Sequence, residues 1–304
     1  MSHAKKWITI WEVLKQTVTD WIDDRAPRLG AALAYYTVFS IAPLVVIIIA
    51  VAGFWFGRET AEQEIYAQFG QMVGEKGAKA ISGLLEAANK PHEGFVASTL
   101  AVITLIFGAT GVFVQLQDAL NAIWEVKPKP GRGVRSFLRH RLLSLAMVFG
   151  IGFLLLVSLV LSAGLAAAGK WLQGTLPGGE VLWQILNFLI SFAVISLLFT
   201  MIFKYLPDVK IAWRDVWLGG VLTAFLFTVG KYALGLYLGR SGVSSAYGAA
   251  GSLVVLLVWV YYSAQILFFG AEFTQAYATR FGKKPQPTSN AVWAPGHKSM
   301  AGGA

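Results

Sequence analysis

The sequence predicts an all-α, polytopic membrane protein with six transmembrane helices, an N-terminal interfacial amphipathic helix and a small helical external segment. Three observations lead there. The first is a set of stretches free, or nearly free, of Asp, Glu, Lys and Arg. They run between Arg28 and Arg58, Glu93 and Asp118, Arg141 and Lys170, Glu180 and Lys204, Asp215 and Arg240 (broken only by Lys231), and Arg240 and Glu272. Each is long enough to cross a hydrocarbon core of roughly 30 Å, which takes about 20 residues at helical rise. The second is composition: 56% of the 304 residues are hydrophobic and only 13% charged, far from a soluble balance. The third is where the positive charge sits. Six spans put both termini on one side, and 18 of the 25 Lys and Arg residues fall there, with six opposite and Lys231 within a span. The positive-inside rule then places both termini in the cytoplasm.

Taken in order, residues 1–30 form a cytoplasmic amphipathic helix. Trp7, Trp11, Leu14, Val18 and Trp21 recur at spacings of three and four, opposite Lys15, Gln16 and Asp20. That pattern suits a helix lying along the inner leaflet, or alternatively a cap packed on the bundle. The same segment carries charges on both sides of Trp11 and no central apolar run, so no cleaved signal is expected. The transmembrane domain covers 31–272, with spans near 31–57, 95–117, 142–169, 181–203, 216–239 and 249–271. The external segment 58–94 mixes Ile65, Phe69, Ile81, Leu84 and Leu85 with six glutamates, which predicts short amphipathic helices around a turn at Gly74 to Gly77. The cytoplasmic loop 118–141 carries Arg132, Arg135, Arg139 and Arg141 among prolines and glycines. These arginines are candidates for anionic lipid headgroups, with a bare topology signal as the alternative. The tail 273–304 is rich in Pro, Gly and Ser after Phe281 and is expected to be largely disordered.

Polar groups inside the spans are the candidate site. Lys231 costs roughly 3 kcal/mol at helix depth on insertion scales. It either snorkels toward the outer interface, about 13 Å away at Arg240, or lines a cavity that receives an anion. Glu272 falls near the inner end of the sixth span, too distant in depth for a simple salt bridge with Lys231, while Asn187 lies nearer to the lysine's depth. A second polar layer on the cytoplasmic side comprises Tyr35, Tyr36 and Ser40, Gln115 and Asn121, and Gln265 with Glu272. It reads as a cavity lining, or as interhelical hydrogen bonds of about 0.6 kcal/mol each together with tyrosines of the interfacial belt. Gly108, Gly111, Gly219 and Gly220 mark close helix approaches, and Pro43 predicts a kink in the first span.

Several chemistries find no footing. With no cysteine and four scattered histidines, neither a thiolate site nor a zinc or two-metal hydrolytic centre is expected. No Gly-rich phosphate loop and no Gly-x-Ser-x-Gly elbow occur. No cofactor and no enzymatic activity are expected. The net charge of +9 reports topology rather than nucleic-acid binding. Asp208 and Asp215 read as interfacial charges.

Several blocks carry a family resemblance. They are Ala31-Ala32-Leu33-Ala34-Tyr35-Tyr36 with Ser40 and Pro43, Asn121-Ala122-Ile123-Trp124, Lys231-Tyr232, Tyr247-Gly248-Ala249-Ala250-Gly251-Ser252, then Trp259, Tyr261 and Gly270-Ala271-Glu272-Phe273. In these the chain resembles the YihY/BrkB family of bacterial inner-membrane proteins across roughly residues 10–282. The resemblance implies a six-helix plasma-membrane protein of unsettled molecular activity. It also brings an old ribonuclease label, for which the residues offer no acid, base or metal set. The expected function is a transporter or translocase of an anionic or lipid-like substrate. Lys231 would meet the anion, Glu272 would titrate or gate the inner side, and the arginine loop would gather headgroups. The alternative is a non-transporting scaffold or envelope-assembly factor. Expected partners are membrane lipids, an anionic small molecule or lipid, and a second copy of the chain; nucleic acid is not among them.

Overall fold

A computed structural model describes residues 3–63, 65–67, 95–129, 179–240 and 251–295. In chain order the elements are α1 (His3–Asp23), α2 (Ala26–Phe56), α3 (Phe95–Ile123), β1 (Val126–Pro128), α4 (Gly179–Tyr205), β2 (Val209–Lys210), α5 (Trp213–Arg240), α6 (Gly251–Phe281), β3 (Gln286–Pro287) and β4 (Ala291–Trp293). The uncharged stretches at 31–57, 95–117, 181–203, 216–239 and 249–271 fall on α2, α3, α4, α5 and α6. The expected span 142–169, the basic loop with Arg132, Arg135, Arg139 and Arg141, and residues 68–94 of the external segment lie outside the described residues. Among those described, α4, α5 and α6 are long and apolar enough to cross a membrane, and α2 makes a fourth if its two halves are one span.

Those halves, Ala26–Ile41 and Pro43–Phe54, meet at 49°. Pro43 is the cause, because its ring displaces the carbonyl four residues back and it has no N–H to donate. The bend turns Pro43 toward α3, where a Cβ on Gly108 would stand 2.8 Å from the ring's Cγ. Only glycine admits so close a proline.

Helix α6 is the hub, packed against α1, α2, α3 and α5, while α4 leans on α5 and α3 on α2. The largest fully buried side chains, among them Trp124, Leu120, Phe203, Leu206 and Phe268, gather where α3 and α4 end and α6 passes. Helix α1 docks at this same end. Val13, Thr17 and Asp20 are buried while Trp11, Val18 and Ile22, on the opposite face, stay exposed, and Arg280 of α6 pairs with Glu12. The helix therefore both caps the bundle and presents an apolar stripe. The packed face carries Val13, Thr17 and Asp20, and Trp21 from the expected apolar face packs on the core as well, while Trp11 and Val18 of that face stay exposed.

The tail corrects an expectation. Residues 282–295, anticipated as largely disordered, fold back beneath the bundle. β4 pairs antiparallel with β1 (Val126↔Trp293, Pro128↔Ala291), and β3 pairs with β2 (Val209↔Pro287). The physical reason is local. Ala291-Val292-Trp293 is a short β-favouring run, and the ends of α3 and α4 offer unpaired backbone that the tail satisfies. Ala294 N–H donates to Glu125 O at 2.7 Å and Thr288 N–H to Asp208 O at 2.9 Å. The fold is thus helical with a small β clasp at one end.

Candidate functional site

Two polar constellations occupy opposite ends of the bundle. The first is built on α4 and α5 around Lys231. Trp213 opens α5 at the clasp end, so Lys231, 18 residues on, stands about 27 Å away along the axis. A groove of about 280 Å³ runs between the two helices there. Lys231, Ser191 and Thr228 give it polar atoms; Phe188, Phe192, Ile195, Phe227 and Tyr232 give it walls. Helical spacing explains the assembly. Phe188, Ser191, Phe192 and Ile195 share one face of α4, as Phe227, Thr228, Lys231 and Tyr232 share one of α5. Phe188 stacks on Phe192, and Phe227 is held edge-on by Phe199 and Trp259. The Thr228 hydroxyl already donates to Ala224 O at 2.7 Å, leaving its oxygen as an acceptor. Among the described residues, the groove-lining donors with no acceptor of their own are the Lys231 ammonium and the Ser191 and Tyr232 hydroxyls. Among the described residues no carboxylate lies within salt-bridge distance of Lys231, and none lines the groove. Glu272 is not part of it. Asn187 sits on α4 just before Phe188, but its side chain is outside the described set.

The second constellation sits in the clasp. Asn121 donates through Nδ2 to the Asp208 carboxylate at 3.0 Å and accepts the Asp208 backbone N–H at 2.8 Å through Oδ1. Gln117, one turn earlier on α3, donates to the same carboxylate oxygen at 3.4 Å. Gln275 of α6 donates to Ile123 O at 2.7 Å, satisfying a carbonyl at the end of α3. Lys204 donates to Ile211 O and lies over the Trp213 ring. Asp208 is therefore not merely an interfacial charge: it is the acceptor that ties the α4–α5 connection to α3. Asp215 is likewise buried. It accepts the Lys283 backbone N–H, and Gly282 leaves room for its carboxylate.

The anticipated inner polar layer splits. Tyr35 and Tyr36 are exposed on α2, against each other and Phe39. Ser40 is buried, Gln115 is half-buried, and Asn121 is engaged by Asp208. Glu272 is fully buried in α6, seven residues from Gln265 and hence on the same helical face. Gln265 presses its amide against Gly30 of α2, where a Cβ would stand 2.0 Å from Nε2. Both polar atoms of that amide are buried with no hydrogen-bond partner among the described residues. An unsatisfied buried amide costs about 1–3 kcal/mol. Gln265→Leu, of similar length, is therefore expected to leave thermal stability unchanged or to raise it, as read by tryptophan fluorescence during heating.

Gln117, Ser191, Thr228 and Gln275 escaped the sequence reading, and Asp208 was read only as an interfacial charge. Gln117 was open to detection, since it lies four residues from Asn121 on one helical face. The serine and threonine are too common in spans to signal a site, and the Asp208 pairing joins residues 87 apart.

The chain matches the family described as Virulence factor BrkB over residues 17–293, which takes in both constellations. It is 30% identical over 261 residues to a UPF0761 membrane protein of Pseudomonas aeruginosa, covering 83% of this chain and 59% of that one. To a UPF0761 membrane protein of Tolumonas auensis it is 29% identical over 278 residues, covering 86% of both. To one of Methylibium petroleiphilum it is 28% identical over 272 residues, covering 87% of this chain and 61% of that one. The chain thus spans about three-fifths of the Pseudomonas relative's length. No solved structure matches it.

Proposed function

The chain belongs to the BrkB family of membrane proteins, and from that membership together with the lysine-lined groove we propose a multi-pass inner-membrane transporter or translocase of an anionic or lipid-like substrate. Its termini are cytoplasmic, and the proposal involves no enzymatic step. One observation carries it. A cation that costs several kcal/mol at membrane depth lines a groove beside the Ser191 hydroxyl, and among the described residues no carboxylate lines that groove to neutralise it. Such a cation supplies an electrostatic partner for an anion in a medium of low dielectric, where the attraction is strong. Glu272, buried on the hub helix, is the group placed to titrate or gate on the clasp side, and the arginine loop gathers headgroups.

The test is flux. In proteoliposomes containing a trace of head-labelled phosphatidylglycerol, the wild-type protein is expected to make label on the far leaflet accessible to an impermeant quencher. Lys231→Met is expected to slow this at least tenfold while the helical content and unfolding temperature are kept. Lys231→Arg retains a substantial part. Unchanged flux in the methionine variant removes Lys231 from the mechanism.

A scaffold reading has its own support. Asn121, a candidate by position for a cavity, and Gln117 one turn before it are engaged in holding Asp208. A stable partner recovered by proximity labelling, with no flux of any anion, would favour it.

A further inference from the structure

The groove at Lys231 also speaks to the direction from which its ligand arrives. Of the groove's own walls Phe188 is 51% exposed, and apolar residues on the same two helices are exposed as well: Ile185 and Leu189 on α4 at 52% and 54%, Val229 and Leu236 on α5 at 53% and 61%. Exposed apolar surface of this extent on membrane-spanning helices is surface that lipid tails cover. The rear of the groove is sealed. Phe227 is wedged between Phe199 and Trp259, and Gly230 admits the Tyr262 ring of α6 so closely that a Cβ there would stand 2.7 Å from its hydroxyl. Of the sides bordered by described residues, the exposed flank of α4 and α5 is the one left for a ligand to enter.

Resting on the transport reading, we propose that this groove is a lateral port for a phosphate-bearing amphiphile. The phosphate of a lipid headgroup sits on Lys231 and Ser191, and the acyl chain lies over the exposed apolar residues of α4 and α5. The chemistry of the lining selects for it. An ammonium and hydroxyl donors match an oxyanion with several acceptors, while the aromatic walls match a tail and repel nothing neutral. A cationic headgroup alone would find no acceptor of formal charge. A fully hydrated soluble anion would have to cross exposed Leu and Val surface to reach the lysine. The shared chemistry with free phosphate is the oxyanion; the tail separates the two sources.

Native mass spectrometry of the delipidated full chain in detergent tests this, with phosphatidylglycerol, sn-glycerol 3-phosphate and inorganic phosphate as probes. A phosphatidylglycerol adduct is expected on the wild type, weakened at least tenfold by Lys231→Gln and kept by Lys231→Arg. Ser191→Phe, which fills the port without touching the charge, is expected to abolish it too, so a folding failure in one variant does not leave the idea untested. A lipid adduct indifferent to both Lys231→Gln and Ser191→Phe overturns the port. So does lysine-dependent binding of glycerol phosphate as tight as that of the lipid, which assigns the site to a soluble anion. The two proposals fail separately. Lysine-dependent lipid binding without flux leaves the port and removes transport; lysine-dependent flux of inorganic phosphate without a lipid adduct does the reverse.

Discussion

Gly220→Ala is expected to cost more stability than any other single-methyl addition in the bundle, about 3 kcal/mol or more, and removing the facing threonine is expected not to rescue it. The helix crossings of α4, α5 and α6 make the reason visible. At Gly219 an added Cβ would stand 1.8 Å from Thr274 Oγ1, and at Gly270 one would stand 1.9 Å from Thr223 Oγ1. The pair is reciprocal, since each threonine donates to the carbonyl of the glycine one turn earlier on its own helix. Thr223 bonds to Gly219 O at 2.7 Å and Thr274 to Gly270 O at 2.6 Å. In both cases the nearest obstruction is a side chain. Gly220 differs. There the Cβ would meet Thr200 Oγ1 at 2.1 Å and also Ser196 O and Thr200 N at 2.9 Å, and backbone yields only by moving a helix.

Overpacking typically costs about 1–3 kcal/mol and more when the backbone must shift. Hence Gly219→Ala combined with Thr274→Ala should recover most of the loss from Gly219→Ala alone. Gly220→Ala combined with Thr200→Ala should not. Unfolding followed through the tryptophans, with the chain in detergent, reads both double-mutant cycles. Equal rescue at the two positions would show that α4 and α5 are held by side-chain fit alone. The α4–α5 crossing leads along the same two helices to the Lys231 groove, so on the transport reading proposed above Gly220→Ala should also lose flux.

Some of this was legible in the sequence, and the division follows physical lines. Uncharged length fixes helices that cross a membrane, so α4, α5 and α6 were readable to within a few residues at most ends; α6 continues ten residues past the expected 271 to Phe281. Pro43 announces its own kink. The small residues Gly219 and Gly220 announce close approach, but not that two adjacent glycines serve different partner helices. That depends on which faces α4 and α6 present. Lys231 was legible as an anomaly of charge at depth, whereas its groove required knowing that Phe188, Ser191 and Phe192 of α4 stand opposite it. The clasp was the least legible. A Pro-, Gly- and Ser-rich tail has the composition of disorder, and its order here comes from backbone groups that α3 and α4 leave open. Tyr35 and Tyr36 read two ways, as cavity lining or as tyrosines of an interfacial belt, since polar residues near one end of a span need not face inward. Their exposure on α2 accords with the belt.

The clasp carries the second large effect. Asn121→Asp is expected to destabilise the chain by more than Asn121→Ala, and both by about 2–4 kcal/mol, because the amide is used from both ends. Its oxygen takes the Asp208 N–H and its nitrogen feeds the Asp208 carboxylate, in a site where Asn121 is only 4% exposed. Alanine leaves a buried N–H unpaired and an anion short of a donor. Each such loss is worth about 1–3 kcal/mol, the charged one toward the upper end. Aspartate keeps the acceptor but replaces the donor with a second negative charge beside the first, and like charges at that distance oppose ionisation of both. The sign with pH follows. Protonating one member of the new pair removes the repulsion and restores a donor, so Asn121→Asp should regain stability as pH falls, whereas Asn121→Ala should not. Unfolding temperatures of the two variants at several pH values decide the matter. A pH-independent deficit in Asn121→Asp would mean that the two side chains do not meet in the folded protein. Loss of the node also frees the α4–α5 connection and, through Thr288 N–H on Asp208 O, the returning tail. Limited proteolysis should therefore cut between residues 282 and 295 in both variants before it cuts the wild type.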